Sequence, residues 1–118
     1  MTEGYVADCL FCKLASKELE ADIVHESANI VVFRDINPVG PTHVLAIPKR
    51  HIESASELTT DNGALLGEIF ETLATVAASE NLRRGHRIVT NVGPEAGQSV
   101  EHLHFHLIGG RSMSWPPG

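Results

Sequence analysis

The sequence predicts an α+β domain: a five-stranded, mostly antiparallel sheet with one long and one short helix. Three observations carry the prediction. Short β-branched runs such as Ile30-Val31-Val32-Phe33 are cut off by turn-forming stretches such as Asn37-Pro38-Val39-Gly40-Pro41, the pattern of strands that turn back on each other. Between Leu65 and Ala77, apolar residues recur every three or four positions over several turns, the period of an amphipathic helix. Towards the C-terminus, His102, His104 and His106 alternate with Leu103, Phe105 and Leu107, the period of a strand with one polar and one apolar face. The length of 118 residues is that of a single domain over 1–118 whose core needs no disulfide.

Taken in order, residues 1–7 show no pattern and are expected to be flexible. Cys9 and Cys12 follow. Leu10, Phe11, Leu14 and Ala15, with charges between them, predict a short helix over 10–19 that opens inside the cysteine pair. Residues 23–25 and 30–33 read as an antiparallel pair. Two prolines and a glycine in 35–41 forbid a continued ladder, so a loop lies there with Asp35 at its entrance. Residues 42–48 form the next strand, with His43 at its start and Lys49, Arg50 and His51 beyond its end. Ser54-x-x-Glu57 has the form of a capping box, and 59–62 offer caps for the long helix. That helix spans roughly five turns of about 3.6 residues, with its stripe on Leu65, Leu66, Ile69, Phe70, Leu73, Val76 and Ala77. Residues 85–91 read as a fourth strand with His86 at a solvated end. A glycine-bearing loop, 91–97, then leads into the histidine strand, which Gly109 and Gly110 terminate. The tail 111–118 carries the only tryptophan, Trp115, before two prolines, a segment stiff and apolar enough to dock.

Composition excludes several classes of function. A formal charge of −6 with scattered Lys and Arg argues against binding of nucleic acid through its backbone, which needs a basic surface. No apolar run has the length of a membrane span, and Met1-Thr2-Glu3-Gly4 lacks the basic and apolar regions of a signal peptide. A cytoplasmic protein without a membrane partner is expected. Two cysteines three positions apart make a poor staple, and a reducing compartment disfavours their bridge. Redox chemistry, half of a metal site and plain buried thiols all remain open for the pair. The metal reading needs two more ligands, which histidines elsewhere in the chain would supply.

The alternating histidines define the chemistry to be expected. Side by side on one face and neutral near pH 7, they offer ring nitrogens to a phosphate or to a metal ion. Protonating several neighbours together would be opposed by their mutual repulsion.

Gln98-Ser99-Val100-Glu101-His102-Leu103-His104-Phe105-His106-Leu107-Ile108 resembles the signature of the histidine triad nucleotide-binding (Hint) family, a branch of the HIT superfamily. Asp35-Ile36-Asn37-Pro38, Pro41-Thr42-His43, Ile47-Pro48-Lys49-Arg50-His51, Asn91-Val92-Gly93 and Trp115-Pro116-Pro117-Gly118 stand in the same order and spacing as in that family. The resemblance runs from about Cys9 to the end, and the ending is similar to that of the Hint branch.

The resemblance implies a HIT-like fold and an adenosine phosphoramidase, a hydrolase of the P–N bond between a purine nucleoside 5′-phosphate and an amine. His104 would be the nucleophile, forming a nucleotidyl-imidazole intermediate. His106 and His43 would orient it and donate to the phosphate oxygens, and Ser99 would hydrogen-bond the departing amine. The resemblance also implies that Asp35 accepts from the ribose hydroxyls, that Phe33 and Ile36 line the base pocket, and that Asn91, Gly97 and Ser99 contact phosphate or leaving group. A structural zinc would sit on Cys9, Cys12, His51 and His102, with no organic cofactor. A homodimer is implied too, with sheets joined edge to edge and Trp115 in a tail that docks near the neighbouring subunit's site. Two alternatives stand beside this reading: a dinucleoside polyphosphate hydrolase or nucleotidyl transferase of the same superfamily, and a non-catalytic zinc-stapled nucleotide-binding or scaffold protein.

Overall fold

The computed structural model describes residues 4–118; residues 1–3, part of the stretch expected to be flexible, lie outside the described residues. Five strands form one antiparallel sheet: β1 (Ile23–Glu26), β2 (Ile30–Arg34), β3 (Thr42–Pro48), β4 (His86–Val89) and β5 (Phe105–Gly109), in the order β1-β2-β3-β5-β4. The long helix α2 (Gly63–Ser79) and the short helix α1 (Leu10–Ala15) complete the α+β fold, with 3-10 turns at Ala55–Glu57, Thr60–Asn62 and Pro94–Ala96.

The central strand β3 is buried along its length and its neighbour β2 at all but Arg34, so each face of the sheet must be covered, and the period of two sorts the side chains. Ile30, Val32, Val44, Ala46, Phe105 and Leu107 pack with Ile69, Leu73, Val76 and Ala77 of α2. Val31, Phe33, Leu45 and Ile47 point the other way and pack with Cys9, Phe11, Cys12 and Leu14 at α1. Each large aliphatic side chain buried here contributes about 1.5–3 kcal/mol. Glu80, just after α2, takes two hydrogen bonds from Arg34, at 3.0 and 3.2 Å, and one from Thr42 at 3.2 Å, which ties the helix end to β2 and β3. Among the described residues no helix is long and apolar enough to cross a membrane.

Several boundaries differ from the sequence expectation. The histidine strand starts only at Phe105, so His102 and His104 precede it. The β3–β5 ladder stops at Ala46 and Phe105; past that point the Pro48 carbonyl accepts from a histidine ring, and the Leu103 amide turns to the Ile52 carbonyl at 2.6 Å. The sorting of faces survives: Leu103, Phe105 and Leu107 all lie in the α2-side core. The short helix ends at Ala15 and leaves Leu10 exposed. Strand β4 spans only four residues. Phe70 is 46% exposed and meets Phe105 edge-on at 5.4 Å between centroids, so the stripe faces the core only in part. Thr59 and Asn62 form a capping box around a 3-10 turn that feeds α2 rather than capping the helix directly. Ser54 caps its turn through the Ser56 amide, while Glu57 reaches the Glu53 amide instead of the cap residue. Next to the residues not described, the Gly4 carbonyl accepts from the His51 amide, and Val6 bonds Cys9 and Cys12.

Candidate active site and metal centre

On the face opposite α2, two clusters of polar groups lie side by side. In the first, the chain around α1 meets the segments that follow β3 and precede β5. The Cys9 and Cys12 sulfurs and one nitrogen each of His51 and His102 all lie within 4.8 Å of one another. His102 Nδ1 is 3.3 Å from Cys9 Sγ and 3.6 Å from Cys12 Sγ, and His51 Nδ1 is 3.4 Å from Cys12 Sγ. A tetrahedral ion with metal–sulfur bonds of about 2.3 Å and metal–nitrogen bonds of about 2.0 Å needs sulfur and nitrogen roughly 3.5 Å apart. The groups that orient these four side chains fit as well. His102 Nε2–H donates to the Pro48 carbonyl at 2.8 Å, which leaves the Nδ1 lone pair directed at the thiols. Amides of Cys12 and Val6 donate to the Cys9 and Cys12 sulfurs, at 3.3 and 3.4 Å, as thiolates require. Burial pushes the Cys12 thiol up to about 11, aided by Cys9 and opposed by the Val6 amide; a dication held there would reverse that preference.

The second cluster contains His43, His104, His106 and Asp35. His104 Nδ1–H donates to the carbonyl of His102 at 2.7 Å, so the neutral ring keeps a free lone pair on Nε2. Thr90 Oγ1 donates to the carbonyl of His104 at 2.8 Å, and Phe11 meets the ring edge-on, 5.2 Å between centroids. The proton positions on the other two rings follow from heavy atoms alone. The Val39 amide donates to His43 Nδ1 at 3.1 Å, which puts the His43 proton on Nε2. That proton goes to His106 Nδ1 at 2.9 Å, so a neutral His106 carries its own proton on Nε2. Burial holds His106 down to about 4, with His104 and His43 adding to the effect and Asp35 opposing it. His43 is lowered by burial against the pull of Asp35.

Asp35, His43 and His106 are also close enough together to hold an ion, but their protons forbid it. A metal on His43 Nε2 would require a proton on Nδ1, where the Val39 amide already donates. This cluster is a hydrogen-bond chain, whereas the cysteine cluster turns lone pairs inward.

Of the residues named from sequence, Cys9, Cys12, His51 and His102 come together, and so do His43, His104, His106 and Asp35. Asp35 Oδ1 accepts from the Asn37 amide at 2.8 Å, and Oδ2 stands 3.4 Å from His43 Nε2, so the acid both shapes its turn and faces the triad. Phe33 is buried beneath the site against Phe11. Asn91 lies across from His104 if the register of Val89 with His106 is continued by two residues. Ile36 and Trp115 stand 92% and 81% exposed. Gly97, at φ +90, ends a 3-10 turn. Ser99 is exposed and lines a cleft with Cys9, His51, Glu53 and Glu101; among the described residues it makes no hydrogen bond to the triad rings. Sequence reasoning missed the backbone partners, Val39 and the Pro48 carbonyl, which carry no side-chain signal. It also missed Gln98, whose amide group joins Gly93, Glu53 and Val100; its place in the Gln-Ser-Val run was the available cue.

A row of imidazoles oriented by hydrogen bonds thus lies beside a thiol–imidazole cluster on one face of an antiparallel sheet. Residues 8–115 match the family model described as scavenger mRNA decapping enzyme C-term binding. The chain is 47% identical to a HIT family hydrolase from Legionella pneumophila Philadelphia 1, with a TM-score of 0.92 covering 94% of this chain and all of that one. It is 48% identical over 111 residues to a HIT-like protein of Synechococcus elongatus, covering 94% of this chain and 97% of the relative. A 14 kDa zinc-binding protein of Brassica juncea is 46% identical over 116 residues, covering 94% of this chain and all of the relative. The chain belongs to the histidine triad (HIT) family.

Proposed function

We propose that the protein is a purine nucleoside phosphoramidase of the Hint branch, which hydrolyses the P–N bond of adenosine 5′-phosphoramidates. The observation that carries this reading is the orientation of His104: Nδ1–H is anchored on the His102 carbonyl, and Nε2 is left to attack phosphorus. In the first step the Nε2 lone pair bonds to phosphorus as the bond to the amine nitrogen breaks, and the amine takes up a proton and leaves. The ring becomes cationic in the adduct, which strengthens its bond to the carbonyl. His106 Nε2–H donates to a non-bridging oxygen, while His43 holds His106 in that tautomer. Water then attacks phosphorus and gives up one proton to solvent, which balances the one the amine drew from solvent, and the imidazole departs with its Nδ1 proton unchanged. Asp35, Phe33 and Ile36 bind the nucleoside, Asn91 and Gly97 the phosphate, and Ser99 the amine side.

Cys9, Cys12, His51 and His102 hold zinc, supported by the donor set and by the zinc-binding name of the Brassica relative. Zinc would supply cross-linking of α1 to the histidine segment, not catalysis, since protein ligands fill all four positions. The reading includes a cytoplasmic homodimer whose tail brings Trp115 to the partner's site, in keeping with the exposure of Ile36 and Trp115 in one chain.

The test is turnover of an adenosine 5′-phosphoramidate beside a dinucleoside polyphosphate. Release of AMP and amine from the first, well above cleavage of the second, is expected. The opposite preference would assign the site to polyphosphate hydrolysis, and AMP binding without turnover of either would leave a binding module.

A further inference from the structure

The corner after β5 grips the loop before β3 at three points. A Cβ on Gly40 would come 3.2 Å from the Gly109 carbonyl oxygen and 3.3 Å from Ile108. Gly110, at φ +90, sits so close that a Cβ there would meet the Pro41 ring at 2.9 Å. Arg111 Nε donates to the Val39 carbonyl at 2.6 Å. Val39 is the residue whose amide donates to His43 Nδ1, and that bond decides where His43 and then His106 carry their protons.

We propose that Arg111 is a positioning residue for the triad: by clamping Val39 it keeps the His43 proton on Nε2 and so keeps His106 as an outward hydrogen-bond donor. Freed from the clamp, the Val39 amide can turn away, and His43 gains the alternative tautomer with its proton on Nδ1. His106 would then hydrogen-bond through a proton on Nδ1 and present a lone pair where the phosphate needs a donor. Nothing in this argument requires Arg111 to touch the substrate. The effect on rate rests on the phosphoramidase reading; the effect on proton position does not.

The experiment compares wild type, Arg111→Met and Arg111→Lys by 15N NMR of the imidazoles, by kinetics on an adenosine 5′-phosphoramidate and by thermal unfolding. The wild type is expected to show His43 protonated on Nε2. Arg111→Met should populate the other tautomer and lower kcat roughly 10- to 100-fold, the range typical of outer contacts that orient imidazoles, with KM unchanged. Lysine can still donate one hydrogen bond to the Val39 carbonyl, so Arg111→Lys should recover part of both signals. A His43 tautomer unaltered in folded Arg111→Met overturns the proposal, whether or not kcat or thermal stability falls. A tautomer shift in a protein that turns over no phosphoramidate supports the clamp and removes the catalytic reading instead.

Discussion

His102 and His104 are two residues apart, lie on one side of the chain and are both nearly sealed from solvent, yet they have opposite chemistry. Each gives one ring proton to a backbone carbonyl, but from different nitrogens: His102 from Nε2 to Pro48, His104 from Nδ1 to His102. What remains is a lone pair on Nδ1 for His102, aimed at two thiols, and on Nε2 for His104. On the function proposed above, one backbone carbonyl apiece separates a metal ligand from a nucleophile. The wider clusters repeat the contrast, since lone pairs converge around Cys9 and Cys12 while hydrogen bonds are donated in series from Val39 to His43 and from His43 to His106.

The largest effect should come from His104→Gln. Turnover of a phosphoramidate is expected to fall by about 10⁴-fold or more, while bound metal, measured by elemental analysis, stays at wild-type level. Loss of metal together with activity would mean that the two histidines do not divide their roles.

Cys12→Ser makes the reciprocal test. A metal present at about 1,000 times its dissociation constant stabilises by about 4 kcal/mol, so this variant, or wild type with a chelator, should melt some 10 °C or more lower. His104→Gln should respond to the chelator as wild type does.

Acid should weaken the fold through the second cluster. An unfolded imidazole takes up a proton near 6.5, whereas half-buried His106 stays neutral down to about 4. The unfolded chain therefore binds more protons across this window, and stability is lost as pH falls from 6.5 towards 4 and regained as it rises. The contribution is on the order of 3 kcal/mol, and urea unfolding of wild type against His106→Asn should show a flatter pH dependence in the variant.

The smallest effect concerns the backbone beside His104. Thr90→Val removes the hydroxyl that bonds the His104 carbonyl, which should cost about 0.5–1.5 kcal/mol in denaturant unfolding and leave the metal in place.

Much of this was legible before the fold. The alternation of His102, His104 and His106 with Leu103, Phe105 and Leu107 sorted the two faces correctly, since a period of two survives even where the strand itself has not begun. The α2 stripe announced its core through Ile69, Leu73 and Val76. The gathering of Cys9 and Cys12 with His51 and His102 came from the family resemblance; spacing alone left the thiols open to three readings. What stayed hidden depends on contacts between distant parts of the chain. The Pro48 carbonyl lies 54 residues from the ring it fixes, and no side-chain pattern marks a backbone acceptor. The early start expected for β5 was misjudged for a related reason: where a ladder ends depends on the partner strand, here β3 leaving at Pro48.

The most direct test of the division between His102 and His104 is to quench the protein during turnover of an adenylated amine and map the modified peptide by mass spectrometry. One adenylyl group on His104, absent from His104→Gln and retained in Cys12→Ser, is the predicted result. An adenylyl group on His102 or His106, or one that persists after His104 is replaced, would contradict the account.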